Sequence, residues 1–386
     1  MKNIVILGSS GSIGKSVIEV VREFKNEFKI IGLAVRENIE VLIKQVKEFL
    51  PAYVAILNRE AYKRILVKKD LFKGVKFLEG EEGIEEVATL KEADIVVNAI
   101  VGSSGLRYTY KALESGNDVA LANKESLVMA GEILNKLAKK KRVRIIPVDS
   151  EHSAIFNLIS NRKLDTIERI ILTASGGPFR LWRKIDFKNI KVWQALKHPT
   201  WKMGSKITID SATMANKGFE VIEAHYLFDI PYDKIDVVIH PQSLIHSMIE
   251  TINGEIYAQI SLPDMRYPIL NALSYPEILK NPFKRLELKD LKKLTFEMPD
   301  YKKFPLLSYA YEIGKKGGNL PAAFVVADDI AVKLFLKNKI KFNEIFKFIK
   351  KIVEKVKYIE NPSLNDIFET EKFIYERIKT SGYNFE

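Results

Sequence analysis

The 386-residue chain contains no cysteine. That excludes a disulfide framework, a thiol nucleophile and any cysteine-ligated metal. It also lacks an apolar run near the roughly 20 residues that a membrane span needs, so no membrane partner is expected. No segment repeats with a fixed period, and no low-complexity tract interrupts the chain. The first apolar strand pattern starts at Lys2, so no signal or transit segment is expected ahead of it. These absences favour the cytoplasm. The formal charge of +12 asks for anionic partners, but the lysines are scattered along amphipathic stretches such as KQVKEFL. They are not gathered with aromatics into a nucleic-acid motif, and they read as a solvated surface.

Nearly half the residues are hydrophobic (47%), enough for sizeable cores, and the length suits two or three compact units. In the first 150 residues, short apolar runs (KNIVILG, FKIIGLAV, AYVAIL, VKFLEG, ADIVVNAI, DVALA, RIIPVD) alternate with amphipathic stretches such as SVIEVVREF and NIEVLIKQVKEFL. Strand-helix alternation with apolar strands predicts an α/β fold with a Rossmann-like parallel sheet. Beyond Asp149 the rhythm changes. ERIILTAS, DKIDVVIHPQ, HSMIETI and EIYAQIS read as strands of an α+β unit, the last two joined at Asn253-Gly254, a hairpin signal. Residues 175–220 are poor in periodicity and read as functional loops. After a proline-rich connection, four helical patterns from Tyr301 predict a C-terminal helical bundle. The expected division is a nucleotide-binding domain at 1–149, a catalytic domain at 150–272 with a flap near 197–206, a linker at 273–300 and a helical domain at 301–386.

The first strand runs into Gly8-Ser-Ser-Gly11-Ser-Ile-Gly14, and then a helix begins. Glycines here let the backbone turn and approach a pyrophosphate held at the helix N-terminus. The spacing is GxxGxxG, and a tight turn without ligand is the bland alternative. The second strand ends near Arg36, where a ribose-recognising side chain is expected. Arginine offers its fork to a 2′-phosphate and so favours NADPH, whereas a surface pair with Glu37 is the competing reading. Gly102-Ser-Ser-Gly105 follows the fifth strand, and the sixth delivers Asn123-Lys124-Glu125. The seventh ends in Asp149-Ser150-Glu151-His152. Two carboxylates at a strand end suit Mg²⁺ or Mn²⁺, although Asp-Ser is also a routine helix cap. Downstream, Ser175-Gly-Gly, His198-Pro-Thr-Trp201-Lys-Met203-Gly204 and Asp210-Ser211-Ala-Thr213-Met-Ala-Asn216-Lys217-Gly-Phe-Glu220 gather hydroxyls, an amide, an ammonium and an acid. That is the donor set for a phosphate dianion, with Glu220 as a third carboxylate.

These segments, with NAIVGSSGL, SGGPFR, IHPQSLIHS and PDMRYPI, resemble in order the motifs of the 1-deoxy-D-xylulose 5-phosphate reductoisomerase family. The resemblance implies an enzyme that uses NADPH and one divalent cation to rearrange and reduce 1-deoxy-D-xylulose 5-phosphate to 2-C-methyl-D-erythritol 4-phosphate, for isoprenoid synthesis. It implies NADPH contacts at Ser10, Gly11, Ser12, Ile13, Asn38, Asn123, Glu125 and Gly204, and metal ligands at Asp149, Glu151 and Glu220. It places substrate at Lys124, Ser150, Ser175, His198, Ser211, Asn216 and Lys217, with the metal ligands Glu151 and Glu220 at the same site. It also implies a flap carrying Trp201 and Met203, and a homodimer. Lys124 is the candidate polarising or proton-transferring group.

The chain departs from the family pattern twice. Gly-Lys-Asn becomes Arg36-Glu37-Asn38, which leaves 2′-phosphate recognition to Arg36. Asn-Ala-Ala-Asn-Glu becomes Val325-Val326-Ala327-Asp328-Asp329, a change expected to bear on a helix cap or an interface. Two other classes stay in view: a metal-independent NADP-linked reductase of another phosphorylated aldehyde, and a non-catalytic NADPH-binding sensor.

Overall fold

The computed structural model describes residues 1–201 and 203–380 and divides into two compact units. Lys202 of the expected flap, and the last six residues of the expected helical domain, lie outside the described residues. Among the described residues no helix is long and apolar enough to cross a membrane.

The first unit comprises Met1–Asn123, Leu134–Ser153 and Asp264–Lys284. Its alternating elements are β1 (Lys2–Leu7), α1 (Ser12–Glu23), β2 (Phe28–Val35), α2 (Ile39–Phe49), β3 (Tyr53–Ile56), α3 (Arg59–Leu66), β4 (Lys76–Glu79), α4 (Gly80–Ala88), β5 (Ile95–Asn98), α5 (Gly105–Glu114) and β6 (Asp118–Leu121). Next come α6 (Lys124–Lys141), which loses helical geometry at Ala130, and then β7 (Ile145–Pro147) and the start of α7 (Ser150–Ile159). The seven strands are parallel in the order β4-β3-β2-β1-β5-β6-β7. All seven match the apolar runs read from sequence. β1 and β5 are buried over Ile4–Leu7 and Ile95–Asn98 because helices cover both faces of such a sheet. Helix α1 buries Val17, Ile18, Val20 and Val21, each worth about 1.5–3 kcal/mol.

The second unit comprises Lys124–Ile133, Ala154–Pro263 and Arg285–Glu386. Its elements are β8 (Ile167–Ala174), α8 (Val192–Ala195), α9 (Ser205–Thr213), α10 (Ala215–Phe228), β9 (Ile235–Ile239), β10 (Ile245–Thr251) and β11 (Ile256–Ile260). Helix α11 (Arg266–Ser274) belongs to the first unit, where Lys2 donates to the carbonyls of Leu273, Ser274 and Tyr275 at its C-terminal end. The remaining helices are α12 (Pro305–Lys316), α13 (Leu320–Leu336), α14 (Ile345–Val353) and α15 (Leu364–Thr380). The sheet order is β11-β10-β8-β9, with β8 and β9 parallel and the β10–β11 hairpin turning at Gly254, φ +86°.

Two readings change. Residues 205–220, taken from sequence as loop, form α9 and the start of α10, separated by Met214 in the left-handed region (φ 63°, ψ 10°). Both helices bury polar as well as apolar side chains, so no hydrophobic stripe marks them. Asp328 and Asp329 likewise sit in the buried body of α13, not at a cap.

Candidate functional site

In the first unit, strand order reverses between β1 and β5, the topological switch point where open α/β sheets bind ligands. The loops leaving these strands touch. Gly8 has φ +84°, and a Cβ there would stand 2.7 Å from the Ala99 carbonyl oxygen. Gly14 is equally constrained, because a Cβ would collide with Gly8. Gly11 is the N-cap of α1 and makes no side-chain cap, so the first-turn N–H groups beside Ser10, Gly11, Ser12 and Ile13 receive no cap from it. Ser9 is buried and tied to Gln45: its hydroxyl donates to Oε1 at 2.8 Å, and Gln45 Nε2 returns a bond to the Ser9 carbonyl at 2.9 Å.

Two buried asparagines fix the neighbouring loop. Asn98 donates to the Gly105 carbonyl (2.9 Å) and to Thr109 Oγ1 (2.7 Å), while its own oxygen accepts from Ile100 N–H. Asn123 donates to the carbonyls of Ile100 (2.8 Å) and Gly102 (2.9 Å), and its amide fills the space that a Cβ on Gly105 would need. At the end of β2, Arg36 and Glu37 are both exposed. Asn38 caps α2 by accepting from Val41 N–H at 3.1 Å.

At the end of β7, Asp149 Oδ1 accepts from Glu151 N–H (3.1 Å) and meets His152 Nδ1 at 3.0 Å. The helix-cap reading of this aspartate therefore holds, and the cap engages Oδ1. Ser150 donates to Glu151 Oε2 at 2.9 Å.

The second unit brings three of the predicted residues to the carboxylate of a fourth, Glu220. Glu220, 1% exposed, accepts from Lys124 Nζ at 2.9 Å and from Asn216 Nδ2, and forms an ion pair with Lys217. Asn216, Lys217 and Glu220 lie on the first turns of α10, and the i,i+3 and i,i+4 spacings face them together. Ammonium and amide donors gathered in this way are the groups that bind an anion.

A second group forms where β8 ends. Gly176 and Gly177 both take positive φ, and a Cβ on Gly177 would lie 2.7 Å from the Ser211 carbonyl oxygen, so the Ser175 loop rests on α9. His198 Nδ1 accepts N–H bonds from Thr200 (3.2 Å) and Trp201 (2.9 Å), which places the ring proton on Nε2. Nε2–H then donates to Ser175 Oγ at 3.0 Å, and Gly177 N–H does so at 3.2 Å. With both acceptor sites used, the Ser175 hydroxyl has its own proton to give outward. Burial pushes the His198 ring down to about 4, so it is neutral at physiological pH.

Gly204 is the N-cap of α9, and a Cβ there would meet open space. Glu125 is buried, and desolvation raises its carboxyl, opposed first by Lys206 4.0 Å away. That lysine was missed in the sequence, as was its cluster with Asp210, Asp328 and Asp329. The available signal was two adjacent acids inside the otherwise apolar VVADDIAV, since a buried acid persists only when paired.

Three family domains match in succession: 1-deoxy-D-xylulose 5-phosphate reductoisomerase over residues 4–131, its C-terminal domain over 145–228, and the DXP reductoisomerase C-terminal domain over 260–377. The chain is 48% identical over 379 residues to the 1-deoxy-D-xylulose 5-phosphate reductoisomerase of Thermodesulfovibrio yellowstonii, covering 98% of this chain and 99% of that one. Among solved structures, the Zymomonas mobilis enzyme in complex with NADPH is 37% identical with a TM-score of 0.90, covering 98% of each chain. A DOX-P reductoisomerase in complex with NADPH, fosmidomycin and magnesium is 36% identical with a TM-score of 0.92, covering 100% of both.

Proposed function

This chain belongs to the 1-deoxy-D-xylulose 5-phosphate reductoisomerase family, and on that premise we propose how its residues divide the work. The reaction is the NADPH- and divalent-cation-dependent conversion of 1-deoxy-D-xylulose 5-phosphate to 2-C-methyl-D-erythritol 4-phosphate. NADPH supplies the hydride that reduces the rearranged aldehyde. The cation, when bound, polarises the substrate's keto and hydroxyl oxygens and stabilises the negative charge that develops as the carbon skeleton rearranges.

The residues fit these groups. Asp149, Glu151 and Glu220 offer only carboxylate oxygens, the donors that Mg²⁺ and Mn²⁺ prefer, and we assign them to the cation. Ser10, Gly11, Ser12 and Ile13 take the cofactor pyrophosphate at the N-terminus of α1, and Arg36 takes the 2′-phosphate. Asn38, Asn123, Glu125 and Gly204 complete the cofactor's surroundings, Asn123 by holding the Gly102 loop in shape. Ser175, Ser211, Asn216 and Lys217 anchor the phosphate, and His198 keeps the Ser175 hydroxyl turned towards it. Remote anchoring of this kind lets binding energy orient the reacting carbons. Ser150 orients Glu151, and Lys124 is the ammonium beside the reacting oxygens. Residues 197–206, with Trp201 and Met203, form a flap that excludes water. The first 149 residues serve the cofactor, 150–272 the chemistry and 301–386 the helical support, in a cytoplasmic homodimer.

The observation that carries the substrate half is the Glu220 centre, where two lysines and an amide converge on one buried carboxylate. The test is oxidation of NADPH by 1-deoxy-D-xylulose 5-phosphate with Mg²⁺ or Mn²⁺ and again with EDTA. Metal-dependent turnover is expected. Turnover indifferent to EDTA would transfer the chain to the metal-independent reductases, and none at all would favour a sensor. For Arg36→Ala, kcat/KM should fall about tenfold more with NADPH than with NADH, the loss of a charge-assisted contact worth roughly 1.5–3 kcal/mol. Equal losses would return Arg36 to a surface role.

A further inference from the structure

The Lys206 ammonium lies 2.6 Å from Asp210 Oδ2, 2.7 Å from Asp328 Oδ2 and 3.2 Å from Asp329 Oδ1, with Glu125 Oε1 4.0 Å away and the Phe219 ring 5.2 Å beneath. The side chains of Asp210 and Asp328 are 4% and 0% exposed. The charged groups gathered here are Glu125 from α6, Lys206 and Asp210 from α9, and Asp328 and Asp329 from α13. One ammonium thus faces four carboxyl groups. Two of its N–H bonds go to Asp210 and Asp328, while Asp329 Oδ1 is an ion-pair neighbour. Asp210 and Asp328 both set Oδ2 on this one nitrogen, and the Oδ1 atoms of both are buried with no donor. Two ionised carboxylates are acceptors only, so neither can donate to the other. What these two buried oxygens lack is a hydrogen.

We infer that Asp210 and Asp328 share one proton at neutral pH, and that this Lys206-centred hub is a positioning device for the helix presenting Ser211. Burial, with each acid near the others, raises both carboxyls. Desolvation alone would lower Lys206, but the surrounding acids hold it charged. Lys206 stands in the first turn of α9, and Asp210 one turn later is the residue before Ser211. Clamping both onto Asp328 of α13 fixes the pitch and height of α9. Loss of the shared proton at higher pH sets two aspartates against each other across that clamp and loosens the seat of Ser211. The positioning half rests on the substrate role proposed for Ser211, whereas the proton is read without substrate.

Asp328→Asn is the informative variant, because its amide can donate to Asp210 in place of the shared proton. Infrared spectra of the full-length protein at pH 7 should show the carbonyl stretch of a protonated, buried carboxylic acid that D328N lacks. Wild-type Tm should decline as pH rises above the ordinary carboxylate range, since a raised folded-state carboxyl binds more protons folded than unfolded, and D328N should decline less. KM for the sugar phosphate should climb with pH in the wild type and stay flatter in D328N, with kcat at pH 7 little changed. For Lys206→Gln we expect KM for the sugar phosphate to rise on the order of tenfold, with KM for NADPH little changed, within the up to hundredfold that an ångström of misplacement costs. A wild-type spectrum without the acid band, or a band that survives in D328N, would overturn the shared proton. A pH-independent KM in the wild type would overturn the positioning role even if the band is present.

Discussion

Around Glu220 two ammonium groups meet one carboxylate, whereas around Lys206 one ammonium meets four carboxyl groups. Both centres lie in the second unit, both are buried, and α9 and α10 contribute to them from either side of Met214. In these ion pairs the roles of acid and base are exchanged. A buried carboxylate met by two ammonium groups and an amide gathers donors that an arriving anion can use. A buried ammonium with surplus acid must take up protons, because uncompensated charge in a low-dielectric interior costs several kcal/mol per ion. The first arrangement suits a centre that exchanges ligands, and the second suits one that stays fixed while ligands come and go. Similar residue types, a few residues apart in sequence, are sorted into these two uses by stoichiometry alone.

The sharpest way to break the comparison is to make the same acid-to-amide change at both centres. Glu220→Gln should lower turnover by about a hundredfold or more, since loss of residues that merely orient metal ligands already costs 10–100-fold. NADPH affinity, measured by fluorescence titration, should remain within about twofold, the change lying outside the cofactor cradle. Asp328→Asn, with a surplus acid removed, should leave turnover at pH 7 little changed. Comparable losses in the two variants would erase the distinction between a reacting centre and a fixed one. Lys217→Met is the milder probe of the first centre. It removes one ammonium donor, so KM for the sugar phosphate should rise about tenfold, one charge-assisted contact to the phosphate, while Tm changes little because Lys124 still pairs Glu220. A fall in kcat with unchanged KM would move Lys217 from anchoring to chemistry.

The two centres were not equally legible in the sequence, for physical reasons. The parallel sheet was visible because buried strands must be apolar throughout, and every such run in the first unit became a strand. The Gly8 loop was visible because backbone crowding at Gly8 and Gly14 admits no side chain. The Glu220 centre was read correctly as a collection of residues but wrongly as loop. Helices α9 and α10 bury Thr208, Asp210, Thr213, Lys217, Glu220 and Glu223 alongside their apolar residues, so hydropathy gives no helical period. The Lys206 hub escaped altogether. Its members come from α6, α9 and α13, and pairing across such distances leaves no local spacing beyond Lys206 and Asp210. The return of α11 to the first unit, through Lys2 and the carbonyls at its end, is hidden in the same way.

The smallest expected effect concerns His198, which sits between the two uses: it is neutral, and it orients a ligand-facing hydroxyl. Its imidazole is held down at about 4 by burial, below the ordinary 6.5, and Nδ1 is committed to the N–H groups of Thr200 and Trp201. In the unfolded chain the ring takes a proton near 6.5, and in the folded protein not until near 4. Its contribution to stability is therefore complete above 6.5 and is lost as pH falls from there through about 4. The ring is partly solvated, so screening trims the contribution to about 1–2 kcal/mol. The measurement is Tm against pH for the wild type and for His198→Gln, between neutrality and the acid limb. The variant should fall less steeply as pH drops, and because its amide can still donate to Ser175 Oγ, KM for the sugar phosphate should rise only a few-fold at pH 7. Parallel Tm curves would mean that the ring is as well solvated as in the unfolded chain, and the outward-facing Ser175 proton would lose its physical basis.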